Sequence, residues 1–311
     1  MRVLLPAGRR HQHAVSQSFC AGWLYNPPMR FNPPARVGVD AAVFDRPAFA
    51  GLAPFRDLLV DGDWPGLPAL QARLQPLWHR QTGAPLAFVD AESLGDDGLH
   101  YEQRIKQRGV IATRRHNWHD LLNALTWKRY PAIKSALNVR QTDCIAQVGR
   151  RQRTRAQQAL THFDEAGAVV IVRDASLLEL WDAHDWTGLF LHQREAWRDG
   201  RITLQVPGHA LLEHALCPHL LLTAKALVFL DDGGGRDSTT VDVRVAAAVA
   251  APACLLDPQE LRPLPLSGIP GWHDAPQDRA FYRDAPCFRP LRTGRRYPPA
   301  LAGASGAGAT A

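Results

Sequence analysis

The chain has 311 residues, 46% hydrophobic and 21% charged, a balance that excludes a disordered chain and suits a packed globular one. No run of about 18 apolar residues offers a membrane span, and at this length either two domains or one large one is allowed. The net charge of +6 rests on 36 basic residues, of which only Lys106, Lys128, Lys134 and Lys225 are lysines, so the arginine excess reads first as composition and only second as a nucleic-acid signal.

Residues 1–35 are expected to be irregular, because Asn26-Pro27-Pro28 and Asn32-Pro33-Pro34 oppose helix. Leu70, Leu74 and Leu77 predict a helix over 67–81 that Pro76 kinks or shortens. A short strand is expected over 86–90. Leu121, Leu122, Leu125 and Trp127 define a helix over 117–129 that Pro131 stops. Further helices are expected over 132–138 and 152–163, the second ending before Gly167. Ala168-Val169-Val170-Ile171-Val172 is a buried strand by composition. Ser176 is a candidate cap for a helix over 177–186, with more helix over 189–197. A strand over 202–206, a helix over 209–216 and a strand over 226–230 follow. Strands alternating with helices define the class as α/β, a helix-rich single domain with a small, at least partly parallel sheet. The domain is placed at 36–297. The tail 298–311, rich in Ala and Gly, is expected to be disordered.

The densest polar cluster is His116-Asn117-Trp118-His119-Asp120, with Asn123 beyond it. At helical spacing His116 shares a face with Asp120, and His119 with Asn123. Histidine and carboxylate groups so placed bind a metal or orient one another for proton transfer. The competing reading makes Asn117 the N-cap and Asp120 an acid suited to the positive helix end. The second cluster is Pro207-Gly208-His209-Ala210-Leu211-Leu212-Glu213-His214. Gly208 stands where a strand turns into a helix, so its amide is a candidate anion donor. His209 and Glu213 lie four apart, without the spacing of a zinc-peptidase motif. Locally, His209 capping the helix and Glu213 pairing with a basic neighbour would explain both.

The run Arg150-Arg151-Gln152-Arg153-Thr154-Arg155, with Arg104, Arg108, Arg114 and Arg115 upstream, could neutralise phosphates. Solvation is the more common fate of such a run. Asp164-Glu165, just before Gly167, reads as turn chemistry. Gly233-Gly234-Gly235 lacks the Lys-Ser/Thr ending of a phosphate-binding loop. The five cysteines are scattered without a C-x-x-C pair, which excludes a zinc ribbon and argues against a complete disulfide framework. The short apolar stretch after Met1 is no signal peptide, and a cytoplasmic location fits best.

Several blocks resemble one bacterial family: Tyr101-Glu102-Gln103-Arg104-Ile105, Thr113-Arg114 and Asn117-Trp118-His119-Asp120-Leu121-Leu122-Asn123-Ala124-Leu125. Lys134, Ala136-Leu137-Asn138, Phe163-Asp164-Glu165, Gly208-His209-Ala210-Leu211 with Glu213, and Gly268-Ile269-Pro270-Gly271-Trp272 continue the series. Together they resemble domain-of-unknown-function family 3025 over roughly 102–289. The resemblance implies a single bacterial cytoplasmic domain and supplies no reaction. His214, where a basic residue is expected, and Arg283, in a block that is usually more acidic, depart from the pattern.

The residues themselves point first to a hydrolase or transferase acting on an anionic or phosphate-bearing small molecule. His119, Asp120, His209 and Glu213 are its candidate catalytic residues, and Arg114, Asn123, Lys134 and Gly208 its substrate-holding ones. A divalent metal is the candidate cofactor, with His119, Asp120 and His209 as ligands. Polar residues at strand exits motivate this: Arg173-Asp174, Gly208-His209 and Asp231-Asp232, since parallel sheets bind ligands beyond their carboxyl ends. The two histidine motifs are expected to face each other, because burying several unpaired polar groups costs about 1–3 kcal/mol each. A nucleic-acid-binding module using the arginines, and a non-catalytic interaction protein, are the alternatives.

Overall fold

The computed structural model describes residues 31–302 apart from 232 and 234. Residues 31–35 have no regular structure, and the rest of the N-terminal segment lies outside the described residues. Short 3-10 turns lead to helices α1 (Arg56–Val60) and α2 (Leu67–Leu74). Helix α2 stops ahead of Pro76, shorter than expected, as a ring without an N–H requires.

Strand β1 (Ala87–Asp90), helix α3 (Tyr101–Arg108) and strand β2 (Val110–Thr113) form a small parallel unit, with Ala87 opposite Val110. Gly109 ends α3 at φ 66°, and a side chain there would strike the Pro85 carbonyl. Helices α4 (Trp118–Arg129), α5 (Pro131–Val148) and α6 (Arg155–Ala166) follow. Helix α5 runs ten residues past the expected end at Asn138. There Arg140 reaches the carbonyls of Val249, Ala251 and Cys254, and Gln141 and Thr142 are buried.

The main sheet begins with β3 (Gly167–Val172) and continues, after α7 (Ala175–Asp182), a π-helical stretch and α8 (Arg194–Arg198), with β4 (Ile202–Gln205). The cap of α7 is Asp174 and not Ser176, whose amide Asp174 accepts. Helix α9 (His209–Ala215), β5 (Thr223–Leu230), α10 (Ser238–Ala250), β6 (Arg262–Pro265), α11 (Arg279–Asp284) and β7 (Leu301–Ala302) complete the fold. Strand β7 pairs with β5, Leu301 opposite Phe229 and Ala302 opposite Leu230, and the rest of the tail expected to be disordered, 303–311, lies outside the described residues.

Strands run in the order β4-β3-β5-β6, with β7 also against β5. The β3–β5 pair is parallel, and β4 and β6 are antiparallel. The fold is α/β, with a small, partly parallel sheet. Every residue of β3 is buried because helices cover both faces. Val169, Ile171, Leu227 and Phe229 pack with Ile133, Leu160, Phe163 and Val245, while Ala168, Val170, Val172 and Val228 pack with Leu177, Trp181 and Phe190.

The antiparallel β4 corrects the argument from strand exits. Arg173 and Asp231 leave one end of the sheet and pair with each other at 3.0 Å. Gly208, past β4, returns to the opposite end, where its N–H donates to the Gly167 carbonyl at the start of β3.

Candidate functional site

Three helix ends meet beside the start of β3: the first turn of α4, the last turn of α6 and the first turn of α9. Asn117 caps α4 by accepting the Asp120 N–H at 3.0 Å. The Asp120 carboxylate in turn accepts the Arg114 amide at 2.6 Å and its guanidinium at 3.0 and 2.9 Å. This clamp fixes the β2–α4 loop and turns His119, the second residue of α4, inward. His116 precedes the cap at φ 51° and shares no helical face with Asp120.

Across from α4, Gly208 lets the backbone of α9 lie against that of Ala166 and Gly167, in space a side chain would fill. Its amide is already engaged by Gly167, so it is not the anion donor the sequence suggested. The close approach seats His209 under α6, where His209 Nδ1–H donates to the Asp164 carbonyl at 2.9 Å. That fixes the tautomer and leaves Nε2 as an acceptor facing inward.

His119 and His209 meet edge to face, with ring centroids 4.5 Å apart. Their Nε2 atoms are 3.2 Å apart. Glu165 Oε2 lies 3.5 Å from His209 Nε2 and 3.9 Å from His119 Nε2. Buried without any hydrogen-bond partner, Glu165 Oε2 is an anomaly for a carboxylate. On the far side of His119, Nδ1–H donates to Glu213 at 3.3 Å.

The electrostatics set the two imidazoles apart. Burial lowers the pKa of His119, but the Glu213 hydrogen bond and the charges of Glu165 and Glu213 outweigh it and raise the pKa overall. Burial, then the charges of Lys134 and His119, holds His209 well below the usual histidine value. Burial raises Glu165, against the pull of His119. His119 is thus the more basic of the two imidazoles and stands between Glu213 on its Nδ1 side and the His209 ring on its Nε2 side.

His119 Nε2, His209 Nε2 and Glu165 Oε2 form a compact triangle of donors. Its sides of 3.2, 3.5 and 3.9 Å match the roughly 3.4 Å separations that tetrahedral ligands adopt at metal bonds of about 2.0–2.2 Å. Glu213 on His119 and the Asp164 carbonyl on His209 are the outer-shell partners that orient metal-bound imidazoles. The surroundings are also rich in carboxyl groups. Glu102, Asp120, Asp164, Glu165 and Glu213 gather around Lys134 and Arg114. These residues can hold one divalent cation.

The site thus joins His119, His209 and Glu213, all read from sequence, and adds Glu165, read there as turn chemistry. Asp120 faces Arg114 instead of the triangle. Lys134 is buried and paired with Asp164 at 2.5 Å, and Asn123 donates to the Tyr101 hydroxyl at 3.0 Å. Arg114 offers its outer guanidinium edge, since Asp120 takes only Nε and Nη2 of the side chain. The arginine runs carry local partners: Arg104 and Arg108 pair with Asp97, Arg155 with Asp257, and Arg150 with the Gly98 carbonyl.

Fold and site together define an α/β protein with a largely buried His–His–carboxylate cluster at a junction of helix ends. Residues 86–292 match the family described as Protein of unknown function (DUF3025), and the chain belongs to that family. Nothing matches among curated proteins or among solved structures. No helix among the described residues is long and apolar enough to cross a membrane.

Proposed function

We propose that this protein is a metal-dependent hydrolase for a small anionic substrate, with His119, His209 and Glu165 holding one divalent cation. The observation that carries the reading is the partnerless Glu165 oxygen aimed at two imidazole nitrogens at metal-ligand separations. Three protein ligands with a position open is the pattern of catalytic rather than structural zinc. Such an ion supplies water activation and charge stabilisation. Glu213 holds the His119 ring through Nδ1, and Asp164 holds His209 through its carbonyl. Arg114, fixed by Asp120 and half-exposed, receives the anionic part of the substrate.

Elemental analysis of the purified protein should find about one zinc or similar ion per chain, as a single three-ligand centre requires. His209→Ala and Glu165→Gln should each lose most of it, whereas Asp120→Asn should retain it. Metal content equal in wild type and His209→Ala would defeat the metal assignment. The loaded protein should hydrolyse a phosphate or carboxylate-bearing ester, with chelation abolishing turnover. Stoichiometric metal without hydrolysis of any such ester would leave a binding site and remove the enzyme.

A further inference from the structure

We propose that the cavity between α2 and the β2–α4 loop binds an oxyanion with an aryl-sized apolar body. It rests on the reading above to the extent that Arg114 serves both places. The cavity encloses about 250 Å³, just under the roughly 300–1,000 Å³ of most small-molecule pockets. Its lining joins the apolar Trp64, Leu67 and Leu121 with Arg114, Arg115 and His116. Among the described residues, no acidic one lines it. An apolar lining that also carries two guanidinium groups suits a ligand with the same two parts, an apolar body and a negative head.

The walls are preorganised. The Arg36 guanidinium lies 4.9 Å from the ring centroids of both Trp64 and Trp118, and these two rings are 4.9 Å apart. The Trp64 ring is therefore held from behind. Of the cationic groups, Asp120 fixes Arg114 and Asp90 fixes Arg115, each from one edge of the guanidinium. His116 is kept in a left-handed conformation, φ 51°, with its ring 6.2 Å from that of Trp64. Such strain in a non-glycine residue persists where the surroundings enforce it, commonly at ligand clamps. Pairing with one acid each leaves the arginines' remaining N–H groups for a phosphate or carboxylate head.

Calorimetric titration of the full chain tests this with four probes: 1-naphthyl phosphate, 1-naphthoate, 1-naphthalenemethanol and inorganic phosphate. The two aryl oxyanions should bind, and the better one identifies the head group. The alcohol and inorganic phosphate should each bind at least about tenfold more weakly, since each lacks one of the two recognised parts. Arg115→Ala should weaken the aryl oxyanions by about tenfold. Leu67→Glu should abolish their binding; an acid in the first turn of α2 suits the helix, and circular dichroism checks its fold. Metal content is measured on the Arg115→Ala and Leu67→Glu variants beside their ligand binding and should stay at the wild-type level, so loss of metal and loss of ligand are read separately. Equal binding of inorganic phosphate and naphthyl phosphate, or binding indifferent to both Arg115→Ala and Leu67→Glu, overturns the proposal.

Discussion

Gly208→Ala should destabilise the protein by about 3 kcal/mol, the upper end of what overpacking a filled interior costs. The added methyl would meet the Gly167 amide nitrogen and the Ala166 backbone, neither of which can move without shifting β3 or the end of α6. The same shift displaces His209 from Glu165, so metal affinity should fall with stability. Gly62→Ala, where a methyl meets nothing within 4 Å, is the control and should change stability by less than about 1 kcal/mol. Urea unfolding of both variants decides the matter. If Gly208 were an anion-binding turn, its alanine variant would lose ligand affinity and keep its stability. A wild-type unfolding midpoint in Gly208→Ala refutes the packing account.

That contrast shows what local sequence carried. His119, His209 and Glu213 were visible because they interrupt apolar runs, and polar groups buried there need partners. Glu165 was hidden because a carboxylate before a glycine is ordinary at turns. Its real position, in the last turn of α6, held a usable signal. Acids are disfavoured at the negative end of a helix, so Asp164-Glu165 at the end of an amphipathic helix called for a compensating cation. Lys134 meets Asp164, and nothing among the described residues bonds Glu165 Oε2.

The direction of β4 was not legible either. Helical segments between two strands are the usual sign of a parallel crossover, and the stretch from α7 to α8 has that appearance. Here it returns the chain antiparallel, and hydrophobic periodicity is blind to strand direction. Helix α10 was also missed. Its Val241, Val245 and Val249 are buried at helical spacing, but the threonines and β-branched residues weaken the helical signal. The two histidine motifs were nevertheless expected to meet, on an argument independent of strand direction.

Glu102→Gln should leave stability near pH 4 almost unchanged and raise it by about 3 kcal/mol at pH 8, since one pKa unit is worth about 1.4 kcal/mol. Burial, then the charge of Asp164, pushes Glu102 up to about 7 from 4.5, against the Asn138 hydrogen bond and Lys134. The folded chain thus keeps a proton that the unfolded chain releases above about pH 4.5. Folding is favoured by this group at low pH, and that contribution disappears as pH rises through about 7. Glutamine stays neutral throughout, and its carbonyl oxygen can still accept the Asn138 amide, which donates to Glu102 at 2.6 Å. Asp242, which caps α5 and is raised to about 6 chiefly by burial, tilts both curves the same way below Glu102's range. The difference between wild type and variant therefore isolates Glu102. Denaturation at several pH values, in chelator so that no cation lowers the carboxyl, measures it. Parallel curves would show that Glu102 is charged without penalty. The expected divergence has a meaning beyond stability. An acid kept in a costly position beside Lys134, Asp164 and the His119–His209–Glu165 triangle is the kind of strain that functional sites retain.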